Sequence, residues 1–92
     1  MIKNFRCKDT ALLFEDKYVA RFSEILHIAR RKLEMLHAAI SINSLRVPPG
    51  NNLEKLIGNR KDQYSIRINN KYRLCFKWVE NNATDLEIVD YH

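Results

Sequence analysis

Glycine and proline are scarce in this 92-residue chain, with two of each. That scarcity excludes a collagen-like or low-complexity disordered polypeptide. Cysteine also occurs only twice, at Cys7 and Cys75. Two cysteines build no disulfide framework, and these two lack the spacing of a zinc site. They fit a reducing compartment and read as small apolar side chains in strand-like segments. No apolar run approaches the roughly 20 residues that span a bilayer. The opening MIKNFRCKDT has no apolar stretch of signal-peptide type. A soluble, cytoplasmic protein with no membrane role is therefore expected. GxGxxG, P-loop, HExxH and CxxC motifs are all missing. No acidic cluster suits Mg²⁺, so neither a metal-dependent nuclease nor any cofactor is expected.

What remains is enough for one domain over residues 1–92, and too little for two. Hydrophobic residues make up 46% of the chain, so a core can be built. The net charge of +5 is unevenly placed. Lys55, Arg60, Lys61, Arg67, Lys71, Arg73 and Lys77 face a single acid, Asp62, between residues 55 and 77, while the rest of the chain is close to neutral. Concentrated positive charge points to an anionic partner: nucleic acid, an acidic protein segment or a membrane surface. The membrane is least favoured, because the block reads as strands and turns rather than a basic amphipathic helix.

Residues 2–6, IKNFR, read as a short first strand, and Asp9-Thr10 as the cap of a helix running to about Glu15. Phe22, Ile25, Leu26, Ala29, Leu33, Leu36 and Ile40 then form one apolar stripe, predicting a longer helix from about Ser23. ISINSL reads as a turn or third helix, and VPPGNN as a helix-breaking loop. Beyond it the period drops to two. Tyr64, Ile66 and Ile68 alternate with Ser65 and Arg67; Tyr72, Leu74, Phe76 and Trp78 alternate with Arg73, Cys75 and Lys77. Asn69-Asn70 is a tight-turn candidate through positive φ. ENNATD reads as a second turn and LEIVDYH as the last strand. The fold class is α+β: an N-terminal strand, two or three helices on one face, and a C-terminal antiparallel β-meander.

Arg67 and Arg73 fall on the face opposite the apolar residues, on neighbouring strands. A last strand beside the second brings Tyr91 and His92 to the same patch. An arginine pair with a histidine and a tyrosine suits phosphodiester chemistry, clamping phosphate while His92 transfers a proton. The plainer alternative is a solvated strand face and a frayed end. His27 and His37, about 15 Å apart along one helix, are too distant to share a metal.

The run NNLEKLIGNRKDQYSIRINNKYRLCFKW, followed by EIVDYH, resembles the HigB-type toxins of the RelE/ParE superfamily. The likeness extends to IKNFRCKDTALLF and RVPPGN, and so covers essentially the whole chain. It implies a RelE-like sheet with helices on one side and a ribosome-dependent endoribonuclease acting on mRNA in the A site of the 70S ribosome. It also implies a HigA-type helix-turn-helix antitoxin, through which the complex binds operator DNA. Arg73 then contacts the scissile phosphate, His92 transfers protons and Tyr91 orients the substrate. Better-known members read LHPLKG after the loop, where this chain has Leu53-Glu54-Lys55-Leu56-Ile57-Gly58. Glu54 stands for the histidine, as a general-base candidate toward a 2′-hydroxyl, and Ile57 for the lysine. Lys55 or Arg67 is left to supply the missing charge. The remaining block, Arg60, Lys61, Lys71 and Lys77, would dock RNA. Two other readings stay open: inhibition by binding DNA gyrase or by disturbing ribosome assembly, as the superfamily's ParE branch binds gyrase, and a mainly structural half of a repressor complex.

Overall fold

Four antiparallel strands, neighbours in the order they follow along the chain, form one sheet, with the helices laid against its apolar face. The computed structural model describes residues 1–60 and 62–90. The strands are β1 (Glu54–Lys55), β2 (Gln63–Arg67), β3 (Tyr72–Val79) and β4 (Asn82–Asp90). The helices are α1 (Lys8–Phe14) and α2 (Leu26–Ala38), with short 3₁₀ turns at Ala20–Ile25, Ile42–Arg46, Pro49–Asn51 and Gly58–Arg60.

The period-two pattern becomes one half of the core. Tyr64 pairs with Phe76, Ile66 with Leu74, and Leu74 with Ile88, so these side chains share one face. The helical stripe closes onto it: Phe22, Ile25, Ala29, Leu33 and Leu36 are buried in the same cluster as Ile66, Leu74 and Phe76. Fully burying a residue such as Leu33 or Phe76 stabilises the fold by about 1.5–3 kcal/mol each.

Several expectations need correction. The stripe is one stripe but not one helix: residues 20–25 form a 3₁₀ turn before α2, and Phe22 has non-helical φ and ψ. Ile40 lies beyond the helix and is 82% exposed. The first strand shrinks to two isolated parallel bridges, Ile2 to Ala83 and Phe5 to Leu86. These bridges cover the outer edge of β4, and an open edge would otherwise invite pairing with another chain. Asn4 and Asp85 clasp the same edge, Asn4 Nδ2 donating to Asp85 Oδ1 at 2.9 Å and Asp85 N donating to Asn4 Oδ1 at 3.0 Å.

The cap of α1 is Cys7, with no side-chain capping bond. Thr10 sits inside the helix, fully buried, where its hydroxyl accepts the Ile88 N–H at 3.1 Å. A backbone donor of the edge strand thus finds a partner on a helix rather than in a ladder. The β2–β3 turn is held by the Asn69 side chain, whose Oδ1 accepts the N–H groups of Lys71 and Tyr72 at 2.9 and 2.8 Å. It does not use positive φ at either asparagine. Positive φ falls at the next turn, on Glu80 and Asn81. β4 therefore begins at Asn82, four residues earlier than the apolar pattern suggests. A register shift opposite Cys75–Lys77, with Asp85 at φ 52°, puts the extra residue on β4. Such a bulge displaces the alternation and hides the start of the strand.

Candidate active site

The face of the sheet away from the helices carries Glu54, Gln63, Ser65, Arg67, Arg73, Cys75, Lys77 and Glu87, because cross-strand partners point the same way. This face is solvated at its margins and buried at its centre. Ser65 and Cys75 are fully buried, and Gln63 and Arg73 nearly so. The two arginines singled out by alternation, Arg67 and Arg73, are direct cross-strand partners. Like charges placed directly opposite one another are destabilising, so the arrangement opposes stability on its own.

Arg73 is built in rather than draped over the surface. Its Nε donates to Ser65 Oγ at 2.9 Å, and its Nη2 to the Asn52 carbonyl at 2.7 Å. The Glu54 carboxylate stands 3.9 Å from the same Nη2 and is 55% exposed, whereas the arginine side chain is 10% exposed. The local fold explains this set. β1 is only two residues long, yet its register places Glu54 opposite Ser65 and therefore beside Arg73. Asn52, just before it, has a left-handed φ of 44°, which asparagine tolerates. Its neighbour Asn51 is fully buried and fixes the loop, donating to the Leu45 and Val47 carbonyls and accepting from Lys32. Burial in that contact, together with nearby Arg31, pushes the Lys32 ammonium below its usual range.

Arg67 donates to Asn70 Oδ1 at the β2–β3 turn. Lys55, one residue from Glu54, pairs with Tyr64 and so belongs to the opposite face, where it is exposed. The basic block therefore divides. Arg60 Nη1 donates to Gln63 at 3.0 Å and to Glu87 at 2.8 Å, with Arg6 3.8 Å from the same carboxylate. Lys71 approaches Asp90 at 4.0 Å and Lys77 approaches Asp85 at 3.5 Å. The Asn4 hydrogen bond, with help from Lys77, holds the Asp85 carboxyl below the usual carboxylate range. Burial pushes the Cys75 thiol up, with the Glu87 carboxylate adding to it and the Arg60 and Arg73 charges opposing it. Ile57, where the resemblance places a lysine, is 89% exposed. Lys61, Tyr91 and His92 lie outside the described residues.

Geometry thus joins Glu54, Arg67 and Arg73, and separates them from Lys55. It adds Ser65 and Asn52, the two partners of Arg73 that sequence reasoning passed over. Ser65 was legible as a same-face neighbour of Arg67. Asn52 was not, since its contribution is a backbone carbonyl. Among the described residues no three His, Cys, Asp or Glu side chains gather closely enough to hold a metal ion. His37, on α2, instead accepts the Ile2 N–H on Nδ1 at 3.1 Å and packs against Phe14.

A small α+β domain of this topology is a RelE-like toxin fold. All of the chain aligns with 98% of a chain from the heterotetrameric YoeB–YefM toxin–antitoxin complex of Staphylococcus aureus, at a TM-score of 0.61 and 24% identity. A second YoeB–YefM complex from Staphylococcus aureus gives 0.57 at 20% identity with the same coverage. At that identity the likeness shows the fold alone. The sequence is more specific: residues 3–92 match the family described as RelE-like toxin of type II toxin–antitoxin system HigB, and the chain belongs to that family. It is 44% identical to Toxin HigB-1 of Vibrio cholerae, with 79% of this chain and 88% of that protein aligned. It is also 39% identical to an uncharacterised protein of Haemophilus influenzae, over 86% and 88% of the two.

Proposed function

We propose that this toxin is a ribosome-dependent endoribonuclease that cleaves mRNA in the A site of the translating 70S ribosome. The observation that carries the reading is Arg73, a nearly buried guanidinium fixed by Ser65 and Asn52 beside the Glu54 carboxylate. A cation held in place before the reaction stabilises developing charge without reorganising, and losing one such group costs roughly 10²–10³-fold in rate.

In this scheme Glu54 takes the proton of the 2′-hydroxyl, and the 2′-oxygen attacks the adjacent phosphorus. Arg73 and Arg67 neutralise the phosphorane. The bond to the 5′-oxygen breaks, His92 protonates the leaving oxygen, and Tyr91 orients the substrate. The products are a 2′,3′-cyclic phosphate and a 5′-hydroxyl. Proton transfer by a positioned side chain contributes about 10²–10⁴-fold; alignment of the RNA by the ribosome supplies the remainder. Side chains provide both proton transfer and charge, so no metal ion enters the scheme. Arg60, Lys61, Lys71, Lys77 and Lys55 serve as RNA-docking groups, which makes association steeply salt-dependent. The natural partner is a HigA-type helix-turn-helix antitoxin that carries the complex to operator DNA. The YoeB–YefM neighbours, solved as toxin–antitoxin complexes, support an antitoxin partner. The site of action is the cytoplasm, where ribosomes translate; no helix among the described residues is long and apolar enough to cross a membrane.

Primer extension on a defined mRNA with programmed ribosomes tests this. Breaks within A-site codons are expected that need ribosomes, leave a 5′-hydroxyl and are lost in Arg73→Ala and His92→Ala. A 5′-phosphate on the downstream fragment overturns the chemistry. Intact mRNA with growth still arrested overturns the nuclease and turns attention to gyrase or ribosome assembly.

A further inference from the structure

Two clefts open at the end of the sheet remote from Arg73, and they meet at Lys77 and Asp62. The first, of about 370 Å³, lies on the polar face beside Arg6, Arg60 and Gln63. The second, of about 360 Å³, is walled by Tyr64 and Trp78 and flanked by Lys55 and Val79. Its aromatic wall is the outer part of a row whose inner member is core. Fully buried Phe76 lies 6.4 Å from Tyr64 and 6.3 Å from Trp78, ring centre to ring centre. Both outer rings are only half-buried.

We infer that the Tyr64–Trp78 cleft is a second RNA contact, holding an unstacked base of a single strand while Lys55 and Lys77 engage its phosphates. Aromatic faces with interleaved cations are what sequence-tolerant single-strand binding uses. The charge layout favours a polyanion over one small anion. Lys55, Lys77, Arg60 and Arg6 continue from this cleft into the next, against the acids Asp62, Asp85 and Glu87. Lys77 stands four residues from Arg73 on β3, roughly 13 Å at strand spacing, so one strand of RNA can reach both sites. At about 360 Å³ the cleft also falls within the volume range of small-ligand pockets. An acidic peptide is the less favoured occupant, because only Val79 adds exposed apolar surface to the aromatic pair. The inference rests on the RNA-directed reading above and concerns docking, not cleavage.

Trp78 is the sole tryptophan, so its fluorescence reports this cleft alone. The full chain is titrated with a single-stranded 2′-O-methyl oligoribonucleotide of about ten nucleotides, which cannot be cleaved by 2′-attack. Emission should change on binding, and an abasic strand of equal length should bind without that change. Trp78→Ala should weaken binding about 5- to 160-fold, with a thermal melt confirming the fold. Lys55→Ala should reduce the salt slope by about 0.7, and it keeps the test decisive should Trp78→Ala not fold. Binding with unchanged emission and an unaltered slope overturns the inference. So does an emission change produced by polyglutamate and not by RNA, which would mark a protein-docking site. An emission change without any mRNA cleavage supports the contact and overturns the nuclease reading alone.

Discussion

Each face of the sheet buries its centre, and the two do so by different means. One packs Ile66, Leu74, Phe76 and Ile88 against α1 and α2, and its cohesion is hydrophobic. The other buries Ser65, Arg73 and Cys75 beneath a web of polar contacts from β1, the residue 47–52 loop and Arg60. The first face tolerates imprecision, because apolar contact is non-directional. The second works only when each donor meets its acceptor, since an unpaired buried polar group costs about 1–3 kcal/mol. A fold of this size thus keeps its stability on one side and its directional chemistry on the other.

Substitutions can break that division. The largest effect should come from the apolar face. Phe76→Ala is expected to cost about 3–5 kcal/mol in chemical denaturation, a large part of the 5–15 kcal/mol typical of a domain. Arg73→Met should reverse the weighting. It leaves the Asn52 carbonyl without its guanidinium donor, at about 1–3 kcal/mol, yet cleavage should fall roughly 10²–10³-fold. Arg73→Lys, keeping charge but not the fork, should recover stability before activity. A loss of activity merely proportional to the loss of fold would show that Arg73 is structural.

Thr10→Val tests whether polar satisfaction matters at the edge of the apolar face too. Removing the hydroxyl strands the Ile88 N–H, and a loss of about 1–3 kcal/mol is expected by denaturation. Alkaline titration sharpens the comparison further. The Cys75 thiol is raised by burial, so the folded state holds its proton to higher pH than the unfolded chain. Its contribution is full below the unfolded thiol value of about 8.5 and is lost as pH rises toward the folded value, at no more than about 1.4 kcal/mol per pH unit. Cys75→Ala should flatten that decline. The smallest effect belongs to the exposed pair Lys71–Asp90, where Lys71→Ala should change stability by about 0.5 kcal/mol or less.

Legibility followed the same divide. Alternation from Tyr64 to Trp78 and the stripe from Phe22 to Leu36 were readable because each residue's neighbours in space are fixed by local period. The start of β4 was not, because the bulge at Asp85 breaks the alternation. Nor was β1, whose two residues carry no period at all. Arg67 and Arg73 were readable as one face of a strand pair; the burial of Arg73 was not, because the strand pattern assigns that face to solvent.

The α+β class, the apolar face with its helical cover, the concentration of basic residues and the toxin family all follow from the order of residues along the chain. Those depend on local periodicity, composition and motif. Tertiary structure alone decided that Glu54 stands beside Arg73 while Lys55 turns to the other face. It decided also that a backbone carbonyl at Asn52 holds the guanidinium. The physical reason is that side-chain direction in a strand follows from register. β1 takes its register from pairing with β2 across the intervening turn, which nothing within its own two residues can specify.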